Sequence, residues 1–272
     1  MDIASQADVI VAALGESAEM TGESASRTDI GMPKVQQDLL MALLKTGKPV
    51  VLVLFAGRPM TLKWENDHVP AILNVWFGGT EAGDAIADVL FGDVSPSGKL
   101  SATFPQNVGQ VPIYYSHKNT GRPLGEGQWF QKYRSNYLDV SNDPLYPFGY
   151  GLSYTTFTYS SVTLSTNSIK INQPLTATVT LTNTGTTTGK EVVQLYTRQM
   201  VGSITRPVKE LKGFQKVELK AGESKKITFT ISSNDLKFYN SDLKFAAEPG
   251  DYKIFIGTNS RDVKEANFKL TL

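Results

Sequence analysis

A chain of 272 residues, 40% of them hydrophobic, is long enough for two ordinary domains and is unlike a disordered protein in composition. Its 27 basic and 26 acidic residues leave a net charge of +1, which excludes strong attraction to nucleic acid or an anionic membrane and favours neutral ligands. There is no cysteine, so disulfide and thiol chemistry are excluded. No apolar run approaches the roughly 20 residues of a membrane span. We therefore predict no nucleic-acid partner and no membrane partner.

The first part of the chain alternates strand and helix signals. Apolar runs at 7–13, 49–55 and 71–77 predict three strands, and the β-branched run at 49–55 is typical of a strand buried on both faces. Apolar residues at helical spacing follow the first and third runs. This alternation predicts an α/β domain over residues 1–105, with a mainly parallel sheet and flanking helices.

The ends of the two predicted helices are marked by particular residues. Gly47 and Gly92 are the predicted stops, and Thr80 is the predicted N-cap of the second helix. Met1 stands just ahead of what reads as a strand within a domain, and no signal peptide precedes it. We therefore expect the chain to begin partway through a larger protein.

Residues 158–272 have a different period. Apolar residues alternate with polar ones in several short runs separated by turn signals, which predicts an antiparallel sandwich of roughly seven strands. Tyr252, two residues after Gly250, is compatible with a tyrosine corner. Residues 106–157 fit neither pattern and are rich in glycine, proline and aromatic residues. We interpret them as an ordered connector, since so many aromatic residues argue against a disordered linker.

Most familiar catalytic motifs are absent. The sequence lacks the Gly-x-Ser-x-Gly elbow, the dinucleotide fingerprint and the phosphate loop. His68 and His117 are the only histidines, which makes a zinc site improbable. We predict no metal and no cofactor. The remaining chemical groups are the following carboxyl groups: Glu16, Glu19, Glu23, Asp29, Asp84, Asp88 and Asp93. Asp84 and Asp88, four residues apart, are expected on a solvated helix face.

The stretch 14–28 is the most informative part of the sequence. It follows the first predicted strand, precedes a helix, and contains three glutamates, two glycines and an arginine. Loops at the carboxyl ends of strands are where open α/β sheets usually bind ligands. The stretch is therefore a candidate site for a proton-donating carboxyl group. The alternative reading is a hydrated surface loop without function.

Six segments, taken together and in order, resemble the C-terminal portion of family-3 glycoside hydrolases of the β-glucosidase-like group. They cover nearly the whole chain: Gly15–Arg27 with Pro33; Gly47–Pro59; Trp76–Gly92; Pro96–Leu100; Tyr146–Thr155; and Arg206–Phe214. The resemblance implies an α/β sandwich domain followed by an all-β fibronectin type III-like sandwich. It implies retaining, exo-acting hydrolysis of O-glycosidic bonds by two carboxyl groups.

The resemblance also implies a division of labour between domains. In the family the nucleophilic aspartate belongs to an N-terminal (β/α)8 barrel, and the acid/base glutamate belongs to a loop of the second domain. This chain matches only the second and third parts, so we expect the barrel to be a missing partner and the isolated chain to lack turnover. The family's acid/base glutamate falls about ten residues before the proline that opens the next helix. Glu23 fits that register with Pro33; Glu19 is the second choice and Glu16 the third.

Several further expectations depend on the same resemblance. The substrate is expected to be an oligosaccharide or β-glucoside, and no substrate-binding residue is assigned. The protein is expected to be periplasmic or secreted if it is like its bacterial relatives. An uncovered sheet edge invites self-association, so a homodimer stays open. A different class also stays open, namely a non-catalytic carbohydrate-binding or interaction module.

Overall fold

The computed structural model describes residues 2–125 and 128–272. They divide into two compact units. The first unit contains the residues up to Asp93 together with 104–113 and 143–146, and the second contains 94–103, 114–142 and 147–272. Met1 and residues 126–127 of the predicted connector lie outside the described residues. The proposed boundaries 1–105, 106–157 and 158–272 stay a prediction.

The first unit alternates helices and strands along the chain. Its elements are α1 (Asp2–Gln6), β1 (Ile10–Gly15), α2 (Lys34–Leu44), β2 (Val50–Phe55), α3 (Lys63–His68), β3 (Ala71–Asn74), α4 (Ala82–Phe91) and a 3₁₀ turn at Val108–Gln110. The strands form one sheet in the order β1-β2-β3, and both strand pairs are parallel. Their carboxyl ends therefore meet at one edge of the sheet, which is where the loop that follows β1 begins.

The core of this unit is built on the central strand. Leu52 and Leu54 of β2 are fully buried, as is Leu40 of α2. β1 is less protected, because Val11 on this strand is half exposed. Phe104 is buried between the rings of Trp76 and Tyr146, at centroid distances of 5.6 and 6.0 Å. These ring contacts hold Trp76, which follows β3, against the buried ring of Phe104.

Some predicted boundaries in this unit are wrong. β1 begins at Ile10, three residues after the predicted start, because residues 2–6 form a short helix. The N-cap of α4 is Glu81 and not Thr80, and no side chain caps it. Gly92 ends α4 as predicted, with a left-handed φ of 86°. The helix α3 was not predicted, because its sequence lacks an apolar stripe.

The second unit is dominated by two β-sheets. Its strands are β4 (Phe157–Tyr159), β5 (Thr163–Leu164), β6 (Ser168–Lys170), β7 (Leu175–Asn183), β8 (Gly189–Gln199), β9 (Glu210–Leu219), β10 (Ser224–Ile231), β11 (Phe238–Tyr239), β12 (Phe245–Ala246), β13 (Gly250–Gly257) and β14 (Val263–Thr271). A 3₁₀ turn spans Ser233–Leu236.

The two main sheets of this unit differ in size. One has the order β10-β7-β4, with β5 also paired to β7, and the other has the order β6-β14-β13-β8-β9. All pairs are antiparallel except β6 with β14, which are parallel. The described residues thus give nine strands in the sandwich rather than roughly seven. The alternating apolar residues of β7, β10 and β13 form its core, as predicted.

Two side-chain arrangements stabilise the second unit. The hydroxyl of Tyr252 donates a hydrogen bond of 2.7 Å to the carbonyl of Glu248, as expected for a tyrosine corner. Lys99 and Glu191 form a largely buried ion pair of 3.0 Å, and the hydroxyl of Tyr159 donates to the same carboxylate at 2.9 Å. Burial, followed by the charge of Glu191, raises the pKa of Tyr159 far above its ordinary value, so this hydroxyl stays protonated.

Candidate functional site

The loop that carries the predicted acid begins at a tightly fixed strand end. Gly15 has a φ of 140°, and a Cβ built on it would lie 1.8 Å from the carbonyl oxygen of Phe55. Only glycine fits here, since any larger residue would overlap the neighbouring strand. The side-chain amide of Gln36 accepts from Gly15 N at 2.7 Å and donates to Gly15 O at 2.8 Å. The first residue of the loop is therefore held on both sides.

Glu16, the next residue, lies in a buried ionic cluster. Its side chain is fully buried, and its carboxylate is 2.8 Å from Arg27 Nη1 and 3.0 Å from Arg58 Nε. Burial alone would raise the pKa of Glu16. Hydrogen bonds from Arg27 and Arg58, the charge of Arg58 and the backbone N–H of Gly57 outweigh burial, so the pKa is lowered. Glu16 is therefore ionised at neutral pH. In that state its carboxylate has no proton to donate.

Arg58 links this cluster to the loop itself. It follows β2, and its Nη2 donates hydrogen bonds to the carbonyl of Met20 at 2.6 Å and to the carbonyl of Ala25 at 2.7 Å. Its Nε faces Glu16 at the same time. A single guanidinium group thus joins the start of the loop to two points on either side of Glu23.

Glu23 lies at the tip of a turn. The N–H of Ala25 donates to the carbonyl of Gly22 at 3.3 Å, and Gly22 and Ser24 have φ values of 123° and 61°. A serine in this left-handed region needs support from its surroundings. The side chain of Glu23 is exposed, and none of the residues described in the structure forms a hydrogen bond or ion pair with it. Its carboxyl group is therefore free to meet a ligand.

The base of the turn packs against the edge of the sheet. Thr21 is buried, and a Cβ built on Gly57 would lie 2.2 Å from Thr21 Oγ1 and 2.5 Å from Phe77 Cζ. The absence of a side chain at residue 57 thus allows Thr21 and the ring of Phe77 to approach the segment after β2. The loops that follow all three strands meet here, as the parallel sheet requires.

The other carboxyl groups do not join this cluster. Glu19 is exposed on the same loop, four residues before Glu23. Asp29 accepts a hydrogen bond of 2.9 Å from the N–H of Gly31, which makes it part of a local turn. Asp84, Asp88 and Asp93 are exposed on or just after α4, as expected of solvated residues.

Sequence reasoning missed two residues of this unit. Arg58 falls within the segment 47–59, and its place directly after β2 is the signal that could have indicated its role. No sequence pattern indicated Glu65, which lies on α3. It is 1% exposed, it accepts a hydrogen bond of 3.2 Å from Gln37 Nε2, and burial raises its pKa.

No helix among the described residues combines the length and the apolar character that crossing a bilayer requires.

Comparisons with known proteins place the chain in a family. Residues 1–154 match the glycosyl hydrolase family 3 C-terminal domain, and residues 191–260 match a fibronectin type III-like domain. The first match covers more than half of the chain. The α/β unit and the β-sandwich thus correspond to the C-terminal domains of this family. The chain belongs to glycosyl hydrolase family 3, and the resemblance inferred from its motifs is confirmed.

Individual relatives agree with this assignment. The chain is 54% identical over 267 residues, 98% of its length, to a protein of Salmonella typhimurium named periplasmic beta-glucosidase. It is 43% identical over 258 residues, 95% of its length, to a beta-xylosidase of Formosa agariphila. A crystal structure of beta-glucosidase from Listeria innocua in complex with gluconolactone superposes on all of it, with a TM-score of 0.95 and 44% identity.

The relatives are much longer than the matched region. The chain spans 35% of the length of the Salmonella and Formosa proteins and 37% of the Listeria chain. About two thirds of each relative therefore has no counterpart in this sequence.

Proposed function

We propose that this chain supplies the proton-donating part of a retaining β-glycosidase that hydrolyses O-glycosidic bonds, with Glu23 as the general acid and base. The observation that carries the proposal is the contrast between two glutamates of one loop. Glu16 is buried against two arginines, which keep it ionised. Glu23 is presented on an exposed turn, away from that cluster. A loop that pairs one carboxylate with arginines and leaves another carboxyl group exposed to a ligand is suited to general acid/base catalysis.

The mechanism needs a second carboxyl group. In retaining enzymes the nucleophile and the acid/base lie about 5 to 5.5 Å apart across the scissile bond. The nucleophile attacks the anomeric carbon while Glu23 gives its proton to the departing oxygen, and a glycosyl–enzyme ester forms. Glu23 then removes a proton from water, which attacks the same carbon and releases the sugar. We propose that a barrel domain provides the nucleophile, since the family relatives extend far beyond the matched region.

The substrate and location follow from the same relationships. We propose a β-glucoside or a short oligosaccharide as substrate, supported by the names of the Salmonella and Listeria relatives. A periplasmic or secreted location is supported by the name of the Salmonella protein. A homodimer stays a prediction that light scattering of the purified chain would test.

The architecture carries a finer proposal as well. We propose that the family domain at the start of the chain is a mainly parallel α/β sheet with flanking helices. Its support is the parallel pairing of β1 with β2 and of β2 with β3.

The test is a hybrid enzyme in which the complete chain replaces the matching segment of the Salmonella protein. In this hybrid, Glu23→Gln should lower kcat/KM for methyl β-glucoside by about 10² to 10⁴, the usual contribution of a general acid. It should hardly change kcat/KM for 2,4-dinitrophenyl β-glucoside, because that leaving group departs without protonation. Glu19→Gln is the matched control, an exposed glutamate on the same loop, and should leave both values unchanged.

Other results would contradict the proposal. Full activity of Glu23→Gln on methyl β-glucoside, or a selective loss in Glu19→Gln, would assign the acid elsewhere. The complete chain on its own should show no turnover. The non-catalytic module would be favoured by two results together. The isolated chain would bind sugar with an affinity that Glu23→Ala leaves unchanged, and the hybrid would not hydrolyse either substrate.

A further inference from the structure

The geometry points to Arg58 as the positioning residue for Glu23. We infer that its guanidinium group fixes the turn at residues 20–25, so that the acid/base carboxyl meets the glycosidic oxygen in one orientation. This inference rests on the proposed role of Glu23. Arg58 does not touch the reacting atoms and acts only through the loop.

Three contacts of one side chain carry the inference. Nη2 of Arg58 bonds to the carbonyl oxygens of Met20 and Ala25, at 2.6 and 2.7 Å, and these residues lie on either side of Glu23. Nε bonds to the Glu16 carboxylate at 3.2 Å. Glu16 in turn follows the strand end that Gln36 holds. The tip of the loop is thereby tied to the sheet through side chains, over a gap of 33 to 42 residues in sequence.

The turn needs such support because its own bonding is weak. Within it, the structure gives one long backbone hydrogen bond, from Ala25 N to Gly22 O at 3.3 Å. Ser24 is held at a positive φ of 61°. A glycine at residue 22 and an exposed tip favour many conformations in solution. Charge-assisted bonds from a planar guanidinium group to two carbonyls restrict them, which a lysine ammonium could not reproduce in the same geometry.

Arg27 provides an internal comparison. It also bonds to Glu16, at 2.8 Å, but its second contact is the carbonyl of Gly31 at 3.4 Å, beyond the turn. Both arginines therefore balance the charge of Glu16. Of the two arginines, Arg58 is the one that donates hydrogen bonds to the backbone on both sides of Glu23.

The experiment uses the hybrid enzyme described above and the same two substrates. Arg58→Met should lower kcat/KM for methyl β-glucoside by about 100-fold, the scale expected when a catalytic group is misplaced by about an ångström. For the dinitrophenyl glucoside, which needs no acid, the fall should be less than about threefold. Arg58→Lys should have a kcat/KM for methyl β-glucoside less than about tenfold higher than that of Arg58→Met. Arg27→Met should show a smaller selective loss than Arg58→Met.

A double-variant cycle separates positioning from general damage. In a Glu23→Gln background, Arg58→Met should cause no further loss on methyl β-glucoside, because the group that it positions is gone. Lys34→Met breaks the exposed ion pair of Lys34 with Asp38 and should leave kcat/KM unchanged for both substrates. Equal losses on both substrates, additive losses in the cycle, or an equal selective loss in Arg27→Met would overturn the inference.

Amide hydrogen exchange gives a readout that does not depend on activity. Amides of residues 17–26 in the hybrid should exchange about tenfold faster in Arg58→Met than in the parent, since local opening is easier. The same amides should be unchanged in Glu23→Gln. Unchanged exchange in Arg58→Met would reject the positioning role even if Glu23 proved to be the acid. Full activity of Glu23→Gln would instead reject the proposed function.

Discussion

Replacing Glu16 by glutamine should destabilise the first unit strongly at neutral pH. The substitution keeps the shape of the side chain but leaves two arginine side chains, each about one-fifth exposed, beside a buried neutral amide. Removing one partner of a buried ion pair typically costs about 3 to 5 kcal/mol. Because Arg27 and Arg58 keep some contact with water, we expect about 3 kcal/mol. For a unit of this size that corresponds to a fall in Tm of roughly 10 to 20 °C.

Tryptophan fluorescence can follow this unit separately. Trp64 and Trp76 lie in the first unit and Trp129 in the second, so a Trp129→Phe background limits the signal to the first unit. Urea unfolding of the complete chain then gives the free energy of unfolding of Glu16→Gln against its parent. Asp38→Asn is the matched control, because it breaks an exposed ion pair worth only about 0.3 to 0.5 kcal/mol.

The pH dependence supplies the refuting result. The pKa of Glu16 is lowered in the folded protein. The ionised cluster therefore stabilises the fold fully at pH values above 4.5, the ordinary pKa of a glutamate. That stabilisation is lost as the pH falls through the lowered pKa. The difference between parent and Glu16→Gln should therefore shrink as the solution is acidified below 4.5. A deficit no larger than that of Asp38→Asn, or one that stays constant on acidification, would show that the cluster does not stabilise the loop.

Two further changes test the first unit. Gly15→Ala should lower the free energy of unfolding in urea by about 3 kcal/mol, because the new Cβ would overlap Phe55 O. Gly47→Ala is the control, since Gly47 also has a positive φ but no atom lies near its Cβ position, and it should lower the free energy by only about 1 kcal/mol. Burial raises the pKa of Glu65, so stability should fall as the pH rises above 4.5 towards that raised value. Glu65→Gln, which can still accept from Gln37, should remove this fall and raise Tm at about pH 8; an unchanged pH profile would contradict it.

The strands were predictable where one physical reason dominated. The run 49–55 was placed to within a residue as β2, because a strand covered on both faces must be apolar throughout. The alternating run of β7 was equally clear, since one face is buried and the other is partly exposed. In β13 the alternation of burial is less regular, because Phe255 is buried together with the core residues Ile254 and Ile256. β1 begins three residues later than predicted, because the apolar run starts directly after the helix at residues 2–6 and its pattern does not mark where the strand takes over. Its end is set by Gly15 meeting Phe55, a contact between strands that hydrophobic pattern does not record.

The candidate site was predictable only in part. Charge and small residues singled out the loop, and its place after a strand in a parallel sheet singled out the edge. Neither property distinguishes Glu16 from Glu23, because both are loop glutamates beside a glycine. The difference arises from Arg58, which lies 42 residues from Glu16 in sequence and reaches it only when β1 and β2 pair. Tertiary pairing of charges, rather than any local pattern, gives the two carboxyl groups different surroundings.

That pairing also explains why the loop contains more charge than a single acid requires. An exposed turn with three glutamates and no fixed cation would repel itself and would hold no carboxyl group in a defined place. Placing one glutamate under two arginines converts a source of repulsion into an anchor. The same arginine then reaches the backbone on both sides of the first-choice candidate, Glu23. Under the proposed function, the use of Glu16 as a structural anchor is what would let Glu23 stay exposed and in a defined place for a sugar and a nucleophile.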